Sequence, residues 1–209
     1  MFVSAVILAA GASSRFGSPK LLAEIDGEPI LRRVTRTFSA AGFDEVLVVL
    51  PPGDGEGLQD SLRRSIEDLS ATVRSVENSR WQDGMFSSVK AGLAAATAGR
   101  STHVAVSPAD LPFLGEDSLR RVMAAAAEVD ERTLVVPTHS GRRGHPLLFS
   151  TALAPRILSW PDDRRLSSLF EESDLAVLHL GGFDEGILRD VDCPRDLSSP
   201  SLHLLRKTT

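Results

Sequence analysis

VSAVILAAGASSRFGSPK, residues 3–20, holds the residues on which the fold turns. Val3 to Ala9 is a near-continuous apolar run, the pattern of a strand covered on both faces. It passes directly into a loop of small residues that carries Gly11, Arg15, Gly17 and Lys20. Such a loop reads as a phosphate cradle. Gly11 lets the backbone pass close to a phosphate in unusual dihedrals, and successive N–H groups can converge on an anion. Ser13 and Ser14 add hydroxyl donors. Arg15 can grip phosphate oxygens with two parallel N–H bonds, and Lys20 is a compact charge on a flexible stem. The dinucleotide fingerprint G-x-G-x-x-G is absent. The P-loop spacing also fails, because five residues separate Gly11 from Gly17, and Ser18 and Pro19 precede Lys20. Gly and Ser alone would fit an ordinary strand-to-helix turn. Two cations just beyond the strand, in an otherwise acidic chain, favour a phosphate.

Outward from this loop, apolar β-type runs alternate with helical periods. Pro29 opens a helix with Ile30, Val34, Phe38 and Ala41 on one face, and Gly42 ends it. Glu45 to Leu50 reads as a strand closed by Pro51 and Pro52. Leu58, Leu62, Ile66 and Leu69 mark a helix, and Thr72 to Val76 a short strand. Phe86, Val89, Leu93 and Ala96 trace a helix with Asp83 as its expected N-cap. His103 to Val106 is a strand, Leu119 to Ala126 a helix, and Leu134 to Val136 a strand. This alternation predicts a mostly parallel sheet with helices on both faces, and ligands at the C-terminal strand edges. Past Pro137 the rhythm changes. Leu147 to Phe149, Ala176 to Leu180 and Ile187 to Val191 are strand candidates, with helical pieces at Thr151 to Ser159 and Arg164 to Glu172.

The bulk numbers bound the function. The 209 residues suit one large α/β domain over 1–197, with a nucleotide-binding part at about 1–112 and an acceptor-binding part at about 113–197. The tail, 198–209, is expected to fray. A net charge of −5 without a basic run argues against nucleic acid or an anionic membrane as partner. The single cysteine, Cys193, excludes a disulfide framework and multi-cysteine metal sites, which fits a cytoplasmic location. The opening MFVSAVILAAG lacks a basic leader and reads as a buried strand, not a signal peptide.

Further motifs carry chemistry. VAVSPADLP, 104–112, delivers Asp110 to a strand's C-terminal end, between Pro108 and Pro112. A carboxylate there is a hard oxygen ligand suited to Mg²⁺, which one or two carboxylates and substrate phosphates usually hold; a turn cap is the plainer alternative. ILRDVDCPRDL, 187–197, offers Asp190 and Asp192, which on a strand would point to opposite faces, and Asp196, which would cap a terminal helix. In WQDGMFSSVKAGL, 81–93, Gly84 permits close approach of a flat base. Ser87 and Ser88 could bond a base edge or ribose, or simply start the helix. In GRRGHPLLF, 141–149, glycines flank Arg142 and Arg143, giving a mobile basic loop suited to an anionic acceptor. His145 stands before Pro146, which favours extended geometry; it would bind the acceptor phosphate, move a proton, or serve structure.

Together these residues resemble a family. L-A-A-G-x-S-x-R-[MF]-G-x-x-K, matched by Leu8, Ala9, Ala10, Gly11, Ser13, Arg15, Gly17 and Lys20, resembles the signature of nucleotidyltransferases that activate molybdopterin and sugar phosphates. Phe16 replaces the commoner methionine. The G-R-R-G-H-P and D-x-D-x-P elements resemble the molybdopterin cytidylyltransferase branch. The resemblance implies an α/β Rossmann-like three-layer sandwich of the glycosyltransferase-A, or nucleotide-diphospho-sugar transferase, type. It implies nucleotide contacts from Leu8, Ala9, Ala10, Gly11, Ser13, Gly84, Ser87 and Ser88, and catalytic roles for Arg15, Lys20 and Asp110. It implies Mg²⁺ on Asp110 and Asp192, and an acceptor site at Arg142, Arg143 and His145. The implied reaction joins CMP from CTP to the phosphate of molybdopterin with release of pyrophosphate, and a partner protein would receive the finished cofactor. GTP, or a sugar phosphate or other small phosphorylated acceptor, remains an alternative. So do two other classes, an NAD(P)-dependent oxidoreductase and a non-catalytic nucleotide-binding regulator.

Overall fold

A computed structural model describes residues 1–11, 19–53 and 57–197. The expected loop residues Ser13, Ser14, Arg15, Phe16 and Gly17, and the tail from 198, lie outside the described residues. Strand β1 (Val3–Leu8) lies in the interior of the sheet. The chain then makes a small hairpin from β2 (Glu24–Ile25) and β3 (Glu28–Pro29) and enters helix α1 (Ile30–Ala41). Pro29 supplies the extended entry and Gly42 leaves α1 at φ 94°, a left-handed exit that costs glycine nothing. Then come β4 (Glu45–Leu50), α2 (Leu58–Arg64), β5 (Val73–Glu77), α3 (Met85–Ala98) and β6 (His103–Pro108). They are followed by α4 (Glu116–Ala125), β7 (Thr133–His139), β8 (Arg142–Arg143), β9 (Leu147–Ser150), α5 (Ala154–Ser159) and β10 (Ala176–Leu180).

The main sheet runs β10-β7-β9-β6-β1-β4-β5, with β8 paired on the end of β7. The pairs β1–β4, β1–β6, β4–β5 and β7–β10 are parallel, whereas β9 lies antiparallel between β6 and β7. Two apolar clusters cover its faces. Ala5 and Ile7 of β1 pack with Val34 and Phe38 of α1 and Leu119 and Val122 of α4. Val6, between them, packs with Phe86, Val89 and Leu93 of α3 and Ile157 of α5. The alternation of a single strand thus feeds two cores, which makes the three-layer α/β sandwich.

Helix α3 lies so close to the sheet that a Cβ on Gly92 would stand 2.3 Å from Val6 Cγ1 and 3.0 Å from Val49 Cγ2. Gly92→Ala is therefore expected to destabilise the fold by about 1–3 kcal/mol through overpacking. A lowered urea midpoint would show it; an unchanged or raised midpoint would refute the close approach.

Four expectations are corrected. Helix α2 stops at Arg64, and Ile66 and Leu69 reach the core from the turns that follow. Asp83 does not cap α3: Gly84 holds that position, and Asp83 instead accepts from Arg80 Nε at 2.8 Å. Arg142 and Arg143 are not a mobile loop but β8, in register with His139 and Thr138. Ile187 to Val191 is not a strand. A 3₁₀ turn at Glu185–Ile187 continues as a strap whose backbone bonds are single ties, His145 N to Ile187 O at 2.9 Å and Val191 N to Asp110 O at 2.9 Å. Gly144 seats the strap: a Cβ there would lie 2.6 Å from Ile187 O.

Candidate active site

Strands β1 and β6 end level with one another, Leu8 opposite Pro108. From β1 the chain order proceeds one way to β4 and β5 and the other way to β6 and beyond, so this edge is where the topology switches and where a crevice opens. Beyond the strands the backbones stay tied, Ala9 N to Val49 O at 2.9 Å and Ala109 N to Leu8 O at 3.1 Å. Asp110 follows at once. Its carbonyl accepts from Val191 of the strap, so its main chain is fixed on both sides.

Lys20 opens a 3₁₀ turn, Lys20–Leu22, anchored by buried Leu21. Its Nζ donates to Asp110 Oδ2 at 2.7 Å and to Asp192 Oδ1 at 3.3 Å, joining side chains 90 and 172 residues away in sequence. Burial works against this ammonium, but the hydrogen bonds to and charges of Asp110 and Asp192 outweigh it and hold its pKa above the usual lysine value. Asp192 is positioned by Asp196, whose Oδ2 accepts from the backbone N–H groups of Asp192 and Cys193 at 2.9 and 2.8 Å. Asp196 thus reaches back to cap the turn before it, the reverse of the expected direction. Asp190 lies nearby, and burial, reinforced by the charges of Asp192 and Asp110, pushes its pKa up.

Two cavities meet at this point, of about 460 and 830 Å³, and both are lined by Leu8, Met85, Pro108 and Asp110. The smaller also touches Ala10, Gly11, Lys20, Gly84, Ser88 and Asp192. Gly84 turns at φ 105° into α3. Ser88 and Ser87 are buried and both accept from Asn78 Nδ2, at 3.0 and 2.8 Å, and Ser87 donates to Gly84 O at 2.8 Å. Ser87 thereby shapes the turn, and Ser88 is the serine that lines the smaller cavity. Trp81 and Gln82 complete that wall.

The larger cavity is lined by Arg142, Arg143, His145, Asp190, Arg164 and Arg165, among others. Arg143 stacks on Phe170 with its guanidinium carbon 4.2 Å from the ring centre. The His145–Pro146 bond is cis, and His145 Nδ1 is buried without a hydrogen-bond partner among the described residues. Burial pushes the His145 pKa down, which disfavours the imidazolium form. Arg164 and Arg165 escaped the sequence reading. The charge run Asp162–Arg165, just before an apolar helical piece, was the signal that could have found them.

Among the described residues no group of three or more His, Cys, Asp or Glu side chains is placed to hold a metal ion. Two carboxylates, Asp110 and Asp192, do converge on one cation, the Lys20 ammonium. Two hard oxygen donors suit Mg²⁺ or Mn²⁺ when phosphates complete the shell, and do not suit a metal that needs an all-protein cage. No helix among the described residues is long and apolar enough to cross a membrane.

Comparison with known proteins agrees with this architecture. Residues 5–177 match the MobA-like NTP transferase domain. "Probable molybdenum cofactor guanylyltransferase" of Deinococcus radiodurans is 30% identical over 95% of this chain and 94% of its own. "Nicotine blue oxidoreductase" of Paenarthrobacter nicotinovorans is 31% identical over 75% of each. A solved nucleotidyl transferase from Methanothermobacter thermautotroptrophicus superposes with a TM-score of 0.77 at 20% identity over 98% of both chains, a likeness of fold. With its switch-point crevice and a family match through most of its length, the chain belongs to the MobA-like NTP transferase domain family, nucleotidyltransferases built on the nucleotide-diphospho-sugar transferase fold.

Proposed function

We propose that the chain transfers CMP from CTP to the phosphate of a molybdopterin-type acceptor and releases pyrophosphate. The observation that carries this reading is Lys20 held between Asp110 and Asp192 at the seam of two cavities. The smaller cavity takes the nucleotide, with its phosphates along Ala10, Gly11 and Lys20 and its base side toward Gly84 and Ser88. Leu8 lines this cavity and Ala9 packs into the core behind it, while Ser13 and Arg15, outside the described residues, are the further contacts that the signature implies. The larger cavity takes the acceptor, its anionic groups met by Arg142 and Arg143. His145 lines the same cavity.

An oxygen of the acceptor phosphate attacks the α-phosphorus in line. The bond from that phosphorus to the bridging α–β oxygen breaks, and pyrophosphate leaves with the electron pair. A phosphate monoester is already ionised near neutral pH, so no strong general base is required. Catalysis rests on placing the two phosphates and on meeting the charge that gathers between them. Lys20 meets that charge at the α-phosphate, and Arg15 holds the departing pyrophosphate. Mg²⁺ held by Asp110 and Asp192 would supply Lewis-acid polarisation of the phosphates.

Cytosine is favoured by the G-R-R-G-H-P element, Gly141 to Pro146. The guanylyltransferase relative makes GTP the specific competitor. Pyrophosphate release is to be measured with CTP, GTP, ATP and UTP, each with molybdopterin, a sugar phosphate or no acceptor, before and after EDTA. The expected result is turnover with CTP and molybdopterin that EDTA abolishes and Mg²⁺ restores. Turnover with GTP alone would overturn the base assignment. The oxidoreductase relative motivates a second reading. It predicts saturable NADH or NADPH binding, and such binding without pyrophosphate release would replace the transferase reading.

A further inference from the structure

We propose that Asp162 is a positioning residue that ties the turn beside the nucleotide cavity to the loop that walls the acceptor cavity. Its carboxylate is shared by two cations from different elements. Oδ1 accepts from Lys90 Nζ of α3 at 2.7 Å, and Oδ2 accepts from Arg80 Nη2. Arg80 stands in the turn whose next residues, Trp81, Gln82 and Gly84, line the smaller cavity, and it also donates to Asp83. Lys90 holds the same loop a second way, donating to Trp160 O at 2.5 Å.

On the acceptor side, Asp162 begins the run whose Arg164 and Arg165 line the larger cavity. The loop is seated by Trp160, which stacks on Phe86 of α3 with ring centres 6.2 Å apart, and Arg164 lies 4.0 Å over the Trp160 ring. Phe86 itself lines the larger cavity. The hydrogen bonds from Lys90 and Arg80 hold the Asp162 carboxyl below its usual range, so the link is charged throughout the neutral range. An exposed ion pair adds little to global stability. What this pair of bonds fixes is the distance between two walls that no backbone ladder joins, because the turn at 80–84 and the loop at 160–166 belong to no common strand pair. When a nucleotide seats against Trp81 and Gly84, Arg80 moves with that turn, and Asp162 carries the displacement to Trp160 and Arg164.

This inference rests on the nucleotide reading of the smaller cavity. The chain has two tryptophans, Trp81 and Trp160, one on each side of the link. The full chain is labelled with 5-fluorotryptophan, and the two fluorine resonances are assigned with Trp81→Phe and Trp160→Phe. CTP with Mg²⁺ is the probe, and its affinity is measured separately by calorimetry. In the unsubstituted protein both resonances are expected to shift. In Asp162→Asn, CTP is expected to bind within about fivefold of the unsubstituted protein, with the Trp81 resonance shifting in full and the Trp160 shift reduced. Arg80→Met, which cuts the nucleotide-side arm together with the Arg80–Asp83 pair, is expected to reduce the Trp160 shift in the same way. A Trp160 shift of full size in both variants overturns the proposal, as does a silent Trp160 in the unsubstituted protein with CTP bound. Failure of every NTP to bind overturns the nucleotide reading and this link with it.

Discussion

Asp110→Asn is expected to lower the rate of pyrophosphate release by on the order of 10²–10³ or more. The substitution preserves shape and removes charge. The backbone ties to Val191 and through Ala109 to Leu8 do not involve the side chain, so the fold and the strap should persist. What is lost is one of the two anionic oxygen donors that meet at Lys20. Asp110 also lines both cavities, so its charge bears on nucleotide and acceptor alike. Titration with Mn²⁺ and CTP, followed by electron paramagnetic resonance, should show weakened ion binding beside a near-unchanged circular dichroism melt. A variant that turns over at close to the unsubstituted rate would remove Asp110 from the chemistry.

Lys20→Ala is expected to slow turnover to a similar degree, on the order of 10²–10³, for a different reason. The ammonium is the one described group that pairs with both Asp110 and Asp192. Its removal leaves those carboxylates in place but takes away the positive charge that follows the α-phosphate. Mn²⁺ binding should therefore survive in Lys20→Ala while it fails in Asp110→Asn. Lys20→Arg should not rescue the rate, since a planar guanidinium cannot replace a compact ammonium at one oxygen of each of two acids. Equal loss of Mn²⁺ binding in both variants would show that Lys20 acts through the acid pair and not on the substrate.

Much of this fold was legible because burial on both faces leaves a loud mark. The apolar runs at Val3–Ala9 and Glu45–Leu50 could hardly be anything but central strands, and the period through Ile30, Val34, Phe38 and Ala41 could hardly be anything but α1. The carboxylate at 110 was legible because Pro108 and Pro112 frame it at the end of such a run. The strap was not. Ile187, Leu188 and Val191 look like a strand, yet they pack their side chains while their backbone makes single ties to Asp110 and His145. Side-chain pattern reports burial, not hydrogen-bond partners. Asp83 looked like a cap because its type and place suited one, but Arg80 competes for it in space. The antiparallel β9 was equally silent, since Leu147–Phe149 reads the same in either direction. The wall of the larger cavity at Asp162–Arg165 left only a charge run, and charge runs usually mean solvent.

The strap has a bearing on how such a molecule can diverge. The family match ends at residue 177, whereas Asp190 and Asp192 lie past it on a segment hung from the sheet by a few ties. Drift in that segment can redraw the carboxylates that face Lys20 and the mouth of the larger chamber while the layered scaffold stays as it was. The matched stretch keeps Lys20 and Asp110, while the segment past it is free to vary the acid that faces them.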